Sequence, residues 1–360
     1  MLRPLLLPPR RILIVRLGAI GDVARVLPML AGLKRRFPDA EIDWVVQSKA
    51  ADLLRGHPEI ARLWVVPFRS WRQALSREAW ALRRGMRARG YGLVLDFQGM
   101  IKGAVWAVAA GGPAVRVGWG PGHAQNLAWL WYHGVRRPPG RRVNRHLRHR
   151  SLVDWLGVPD VAATPLPLPA EDAGPVEAFA AELADEPRPW ILAWPGSSRT
   201  GSHKRWEPER LAEAVRGIRD RTGGTVLVGW GPAEEGEAQE LAHGIPGARA
   251  IPSLTIPQLA LLLSRCDLYV GMDTGPMHVA ALLGTPTVGV FGRSDPEIHG
   301  PARHLPARVV AGPEAREWKS RTRKGLPPFV DPDPQTVVEA ALSLLAETGR
   351  ATPGPETRRA

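Results

Sequence analysis

Residues 265–296, RCDLYVGMDTGPMHVAALLGTPTVGVFGRSDP, constrain the fold more than any other stretch of the chain. The run 267–272 is short and apolar, as a buried strand is. Asp273, Thr274, Gly275 and Pro276 then turn the chain, 277–283 has helical composition, Gly284 ends it, and 286–291 is a second apolar strand. Strand, turn, helix and strand in that order make the repeating unit of a parallel α/β sheet. The turn itself is chemically specific. Gly275 allows a ligand to approach the backbone with no Cβ between, and Pro276 suits the first helical residue, where an N–H would have no partner. A helix N-terminus beyond a strand end is a ready anion site, and Asp273, Thr274 and His278 surround it. The same residues also read as an ordinary capped helix, with Asp273 or Thr274 as the cap.

The start of the chain repeats this pattern. RILIVRL, 11–17, is an apolar strand interrupted only by Arg16, followed by GAIGD and a helix expected over 23–37. Its glycines do not have the G-x-G-x-x-G spacing, no G-x-x-x-x-G-K-S/T loop occurs, and the next strand, 42–46, ends in Gln47-Ser48 where a dinucleotide fold wants an acid. These features argue against NAD. Gly21 and Asp22 come at the carboxyl end of the first strand, facing the crevice where open α/β sheets take ligands. The alternative for Asp22 is a carboxylate that complements the helix dipole.

Further strands are expected at 63–66, 93–97 and 115–118, with helices over 76–89, 101–110 and 145–157. The irregular stretch 119–139 suits a mobile acceptor loop. Proline-rich 161–175 marks a linker, with a short helix expected after it over 176–184, giving an N-terminal domain 1–165, a linker 166–185, a C-terminal domain 186–346 and a disordered tail 347–360. The second domain opens with strand 191–194, then Ser197 and Ser198, a polar loop with Lys204, helix 207–222, strand 225–229, an acidic helix start with Glu234, and helix 254–263. In a parallel sheet these loops gather on one edge. A lysine, hydroxyls and helix N–H groups suit a diphosphate, and an acid suits ribose hydroxyls. A nucleotide on one Rossmann-like domain and a base, Asp22, on the other describe a nucleotide-sugar glycosyltransferase.

Composition narrows the setting. No apolar run reaches the roughly 18 residues of a membrane span, and the start, MLRPLLLPPR, is not expected to act as a leader, so a cytoplasmic location is expected. One cysteine, Cys266, leaves no internal disulfide framework and no cysteine-rich zinc site. The net charge is +13, with only six lysines among 48 basic residues. Such a chain suits an anionic surface, either nucleic acid or acidic lipid headgroups. The densest block, RRPPGRRVNRHLRHR at 136–150, holds seven arginines, and Trp106, Trp129 and Trp131 lie before it. Rings of that kind suit a membrane interface or a core.

Three stretches carry a family resemblance: LIVRLGAIGDVARVLPML, LDFQGMIKGA and VGMDTGPMHVAALLGTPTVGVFG. In this order and spacing the sequence, from about residue 11 to 345, resembles the ADP-heptose:lipopolysaccharide heptosyltransferases of glycosyltransferase family 9, heptosyltransferase I somewhat more than II. The resemblance implies an α/β, GT-B fold, with two Rossmann-like parallel-sheet domains facing a central cleft. It implies transfer with inversion, no metal and no cofactor, with ADP-heptose as donor substrate and Kdo-lipid A as acceptor. It makes Asp22 the general base and puts Lys204, Ser197 and Ser198 on the donor diphosphate. Asp273, Thr274, Gly275 and His278 fall around the phosphates and heptose, Leu254 on the nucleoside, and Glu234, or Glu237 after a one-residue shift, on the ribose. Gly21 and Lys102 face the acceptor.

The sequence departs from the family pattern in two places. The donor loop 199–204 is about two residues longer by eye, and GWGPGHAQN, 118–126, lacks an arginine often used to grip the acceptor. Arg116 or the 136–150 block, through Arg145, is expected to substitute. An anionic inner-membrane surface is the expected partner, placing the chain peripherally on the cytoplasmic face, with no nucleic acid bound. Other readings are heptosyltransferase II, another family 9 transferase, a basic nucleic-acid-binding protein or a non-catalytic nucleotide-sugar-binding protein.

Overall fold

The computed structural model describes residues 7–66, 76–140, 142–161, 166, 172–196, 205–232, 234–292, 294–312 and 332–350. They fall into two compact units, Met1–Pro167 and Leu168–Ala360, each built on one six-stranded sheet. Every strand pairing is parallel. Sheets of this kind are covered on both faces, so their strands read as nearly continuous apolar runs.

Unit 1 runs β1 (Arg11–Val15), α1 (Ile20–Ala24), α2 (Leu27–Arg36), β2 (Glu41–Gln47), α3 (Ser48–Ala51), β3 (Arg62–Val66), α4 (Arg77–Arg89), β4 (Leu93–Asp96), α5 (Ile101–Ala109), β5 (Val115–Trp119), a 3-10 turn (Ala128–Trp131), β6 (Gly134–Arg136) and α6 (Arg145–Val153). Unit 2 runs α7 (Gly174–Glu182), β7 (Trp190–Trp194), α8 (Pro208–Thr222), β8 (Thr225–Val228), α9 (Glu235–His243), β9 (Arg249–Ala250), α10 (Ile256–Arg265), β10 (Leu268–Met272), α11 (Gly275–Leu282), β11 (Thr287–Phe291), α12 (Pro296–His299), β12 (Ala307–Ala311) and α13 (Pro334–Glu347).

The strand orders are β3-β2-β1-β4-β5-β6 and β12-β11-β10-β7-β8-β9. Numbered from its own first strand, each sheet is therefore 3-2-1-4-5-6, the doubly wound Rossmann order. The two units share a topology without sharing a close sequence repeat, and as a pair they are the two Rossmann-like units of the GT-B class. In such a sheet the strand order reverses between the first and fourth strands, and ligands bind beyond the carboxyl ends there. Topology alone thus selects four loops: those after β1 and β4 in unit 1, and those after β7 and β10 in unit 2.

Several elements differ from the sequence expectation. The helix expected over 23–37 is two helices, interrupted at Arg25-Val26. Pro28 has no N–H to give an interior turn and instead sits in the first turn of α2. The irregular stretch 119–139 contains the 3-10 turn and the edge strand β6. The short helix expected over 176–184 is present as α7, and rather than lying in a linker it packs on α10. Gln258 Nε2 donates to the Asp172 carbonyl at 2.9 Å, and Arg265 pairs with Glu177, so this segment belongs to unit 2. Unit 2 also extends past residue 346: Arg350 Nη1 donates to the Cys266 carbonyl at 2.8 Å. The rest of the expected tail, 351–360, lies outside the described residues. Cys266 is core, as is Trp106, whereas Trp131 is half exposed.

Candidate active site

In unit 1 the loops after β1 and β4 are tied to each other. The Leu17 amide donates to Gln98 Oε1 at 3.1 Å, and Arg16 Nη1 donates to the Phe97 carbonyl at 2.7 Å. Arg16 also pairs through Nη2 with Asp22 Oδ2, while Arg25 Nη1 donates to Asp22 Oδ1 at 3.1 Å. Asp22 is thus gripped from both sides while its side chain stays about one-third exposed. Burial pushes its carboxyl up, but the charges of Arg16, Arg25 and Arg145 outweigh burial and hold it well below the usual carboxylate range.

The cations come from several elements. Lys102 stands exposed in the first turn of α5, where burial of its stem and the Arg16 charge lower its ammonium pKa while Asp22 opposes them. Arg145 and Arg148 lie one turn apart on α6. Arg148 lies 4.8 Å above the Trp119 ring and donates to the His123 carbonyl at 2.7 Å. Burial, then Arg145 and Arg16, bring its guanidinium down to about 10. His149 is buried edge-on to Phe97 at 5.7 Å, and burial with the same arginines lowers its pKa well below the ordinary value, so it is neutral. Gly21, the residue before Asp22, is buried in α1, where its carbonyl accepts from the Arg25 amide. The result is one carboxylate among five cations, a site for an anionic acceptor.

Beneath this cluster is a buried carboxylate that sequence reasoning passed over as the end of a strand. Asp96 Oδ1 accepts from the Gln98 and Gly99 amides at 2.7 and 3.2 Å, and Oδ2 accepts from the Tyr132 hydroxyl at 2.7 Å. Burial pushes its carboxyl up to about 6 against the pull of these bonds. Two glycines make room for the pair. A Cβ on Gly103 would meet the Asp96 carboxylate at 2.8 Å, and one on Gly118 would meet the Tyr132 ring at 2.3 Å. Asp96 shapes the turn that presents Gln98, and Gln98 in turn holds the Asp22 loop. The only sequence signal was an acid closing the apolar run LVLD.

Arg116 is not brought to this cluster. It is the second residue of β5, toward the amino end of the strand, opposite the carboxyl edge that bears Asp22. Its side chain donates to the Trp131 carbonyl at 3.2 Å and lies 2.9 Å from the His133 ring. The expected acceptor role is corrected on that ground. The arginine block divides as well: Arg145 and Arg148 face Asp22, whereas Arg150 pairs with Asp154 and Asp160.

In unit 2, α11 begins directly beyond β10, with Thr274 at its cap position. The Thr274 side chain makes no cap hydrogen bond to the first turn. The Thr274 hydroxyl lies 3.4 Å from the Tyr269 hydroxyl, and Asp273 Oδ1 lies 3.4 Å from His278 Nε2. Thr274 is thus excluded as the cap, and the helix N-terminus lies at the carboxyl edge of the sheet, where an anion is stabilised. Gly289 lets α11 sit close to β11, since a Cβ there would meet the Met277 sulfur at 2.7 Å.

Glu234 precedes α9 beyond β8. Its Oε1 accepts from Arg205 Nη2 at 2.5 Å, its Oε2 from the Gly231 amide at 3.1 Å, and it lies against Gly196 so closely that a Cβ there would be 2.0 Å away. Glu237 takes the other arm of Arg205 at 2.8 Å but is 56% exposed, against 13% for Glu234. Of the two acids, Glu234 is the one seated against the strand-end loops. Leu254, partly buried, follows β9 and precedes the capping box of Thr255 and Gln258 that starts α10. Ser197, Ser198 and Lys204 lie outside the described residues. Among the described residues, no group of three or more His, Cys, Asp or Glu side chains is placed to hold a metal ion, and no helix is long and apolar enough to cross a membrane.

Comparison with known proteins matches the profile of Glycosyltransferase family 9 (heptosyltransferase) over residues 79–324. Lipopolysaccharide heptosyltransferase 1 of Pseudomonas aeruginosa is 31% identical over 297 residues, 81% of each chain. Its counterpart in Escherichia coli is 27% identical over 301 residues, 81% of this chain and 90% of that one. Among solved structures, the E. coli heptosyltransferase WaaC with ADP superposes with a TM-score of 0.68 at 27% identity, over 85% of this chain and 94% of that one. The glycosyl transferase family 9 structure from Veillonella parvula has a TM-score of 0.79 at 22% identity, over 94% and 97%, a likeness of fold.

Proposed function

Because this chain belongs to glycosyltransferase family 9 (heptosyltransferase), we propose that it transfers heptose from ADP-heptose to the Kdo-lipid A inner core of lipopolysaccharide. In this reading the transfer inverts the anomeric centre, requires neither metal nor cofactor, and takes place on the cytoplasmic face of the inner membrane, where the acceptor is anchored. The observation that carries the reading is Asp22: a partly exposed carboxylate beside the switch point of one sheet, ringed by cations from three other segments. Heptosyltransferase 1 relatives at 27–31% identity favour the first heptose addition over later ones.

In the proposed step the acceptor hydroxyl oxygen bonds to the anomeric carbon, and its proton passes to the Asp22 carboxylate. The bond from that carbon to the diphosphate breaks, and its electron pair leaves with ADP. The first-turn amides of α11 are placed to take the charge that builds on the leaving diphosphate, with Lys204 in the same role by family resemblance. Glu234 keeps lone pairs on both oxygens for ribose hydroxyls.

The arginine grip on Asp22 adds a condition. A carboxylate held this far below its ordinary range is a weak base, so desolvation by closure is not what the site lacks; burial already pushes the group up. An acceptor bearing carboxylates competes for Arg16 and Arg25, relieves Asp22 of their charge and raises its basicity in the ternary complex. Anionic acceptors are then activating as well as tightly held.

The test is ADP release from ADP-heptose with Kdo-lipid A, with each alone and with both. Release only with both establishes the transfer. Release that requires an already heptosylated core moves the assignment to heptosyltransferase II. No release with either acceptor, despite ADP binding, sinks the donor or acceptor assignment.

A further inference from the structure

The charge of the chain is not shared between its units. Residues 1–167 hold 27 Lys and Arg against 10 Asp and Glu, a net +17, whereas residues 168–360 hold 21 against 25, a net −4. Exposed large apolar side chains divide the same way: among the described residues, nine of the ten lie in unit 1, and only Val309 lies in unit 2. Scattered exposed leucines need no explanation. A nine-to-one division between two units of similar size and the same topology does.

Six of the nine lie on one layer. Helices α4 and α5 and the 3-10 turn pack side by side, and their inward residues join a single core on one face of the sheet. Outward, this layer shows Trp80 from α4, Val105 and Val108 from α5, and Leu127, Leu130 and Trp131 at the 3-10 turn. Val105 and Val108 share a helix face, and Leu127 immediately precedes the 3-10 turn that carries Leu130 and Trp131. Leu127 has φ +54, a conformation that leucine adopts only under constraint. An exposed leucine held there adds nothing to the core. The layer's charge is also one-sided: Arg77, Arg84 and Arg87 of α4 are exposed, with Glu78 the helix's only acid.

We propose that this layer of unit 1 docks on an anionic lipid bilayer. Leu127, Leu130 and Trp131 enter the boundary between headgroups and acyl chains, and the α4 arginines meet lipid phosphates. Four of the six exposed side chains, Val105, Val108, Leu127 and Leu130, are aliphatic, which suits acyl chains better than stacked bases. The proposal extends the reading of a lipid-anchored acceptor by naming the surface that brings the enzyme to it. Two bonds link that surface to the site. The Gln125 amide donates to the Gly99 carbonyl at 2.8 Å, and Arg148, which faces Asp22, holds the His123 carbonyl. The segment leading into Leu127 is thereby fastened to the loop after β4.

The experiment uses the full chain and phosphatidylcholine vesicles with or without phosphatidylglycerol. Cys266 is buried, so Leu130→Cys takes an environment-sensitive fluorophore selectively. Co-sedimentation and a blue-shifted emission are expected with the anionic vesicles and not with the neutral ones. Leu130→Asp should lower vesicle partition about ten-fold and leave turnover of a delipidated, soluble acceptor unchanged, which also shows that the variant folds. Arg84→Glu with Arg87→Glu should abolish the preference for phosphatidylglycerol. Vesicle binding with this pattern but no sugar transfer upholds the surface and defeats the transferase reading instead. The proposal is overturned if Leu130→Asp partitions like the wild type, if the probe on anionic vesicles shows no shift, or if the patch mediates self-association or RNA binding while vesicle binding is unaffected.

Discussion

Replacing Tyr132 by Phe removes one hydroxyl and keeps the ring that fills the space above Gly118. What is lost is a 2.7 Å bond to a fully buried carboxylate. A hydrogen bond to a charged group contributes about 1.5–3 kcal/mol and one to a neutral group about 1 kcal/mol, so the cost depends on whether Asp96 is ionised. Its folded pKa, about 6, lies above the ordinary 3.8. The folded state therefore holds this proton more tightly, and the Asp96 contribution weakens as pH rises through that window and remains weaker above it. In Tyr132→Phe the carboxyl moves higher still. We expect unit 1 to lose about 2 kcal/mol near pH 8, where the wild-type carboxylate is charged, and about 1 kcal/mol near pH 5, where it is mostly protonated. Two units need not unfold as one two-state system, so the assay is urea unfolding read by hydrogen exchange in peptides covering 93–103. ADP affinity should be unchanged and kcat reduced, because Gln98 loses its fixed turn. An equal loss at both pH values would refute the account of Asp96 as a buried acid partly neutralised by its surroundings.

Three further outcomes follow from the same geometry. Asp22→Ala should lower turnover by at least about 100-fold while ADP titration shows unchanged affinity; a parallel loss of affinity would speak against the base role. In the folded wild type the Asp22 carboxyl is held below its ordinary range, so its ion pairs stabilise the fold above that range and are lost as pH falls through the lowered value. Arg16→Gln should move the acid limb of kcat/KM to higher pH, and an unmoved limb would show that Arg16 does not set Asp22's basicity. In Gly196→Ala the new Cβ would stand 2.0 Å from Glu234 Oε2, which displaces the carboxylate from the Gly231 amide. Calorimetry should then show ADP binding weakened about ten-fold, and undiminished binding would remove Glu234 from the nucleotide site.

Much of this molecule could be read along the chain. Apolar runs such as RILIV, LYVGM and TVGVF, alternating with helices across glycine turns, are the pattern that parallel sheets impose, because their strands are buried on both faces. The acid after the first glycine turn, the lysine of α5 and the Asp273–His278 turn were visible for a related reason: in such sheets, loops after strands lie where ligands bind. Elements that depend on little local pattern were missed, including the two-residue β9 and the three-residue β6. The break before Pro28 was legible and overlooked.

Local sequence determined which residues stand at strand ends, because that follows from strand and turn propensities over a few neighbours. Only the tertiary structure decided what those residues are to one another. Arg16 read as a blemish in an apolar strand until it was placed against Phe97, 81 positions on, and Asp22. Asp96 needed Tyr132, 36 residues away, to become the support of a loop. Arg116 and Arg145 look alike in sequence, yet one lies toward the amino end of its strand and the other faces Asp22. Glu234 and Glu237 were indistinguishable until packing left one enclosed and the other at the rim. Basicity and binding depend on burial and on charges a few ångströms away. Those neighbours come from distant parts of the chain, and no local window contains them.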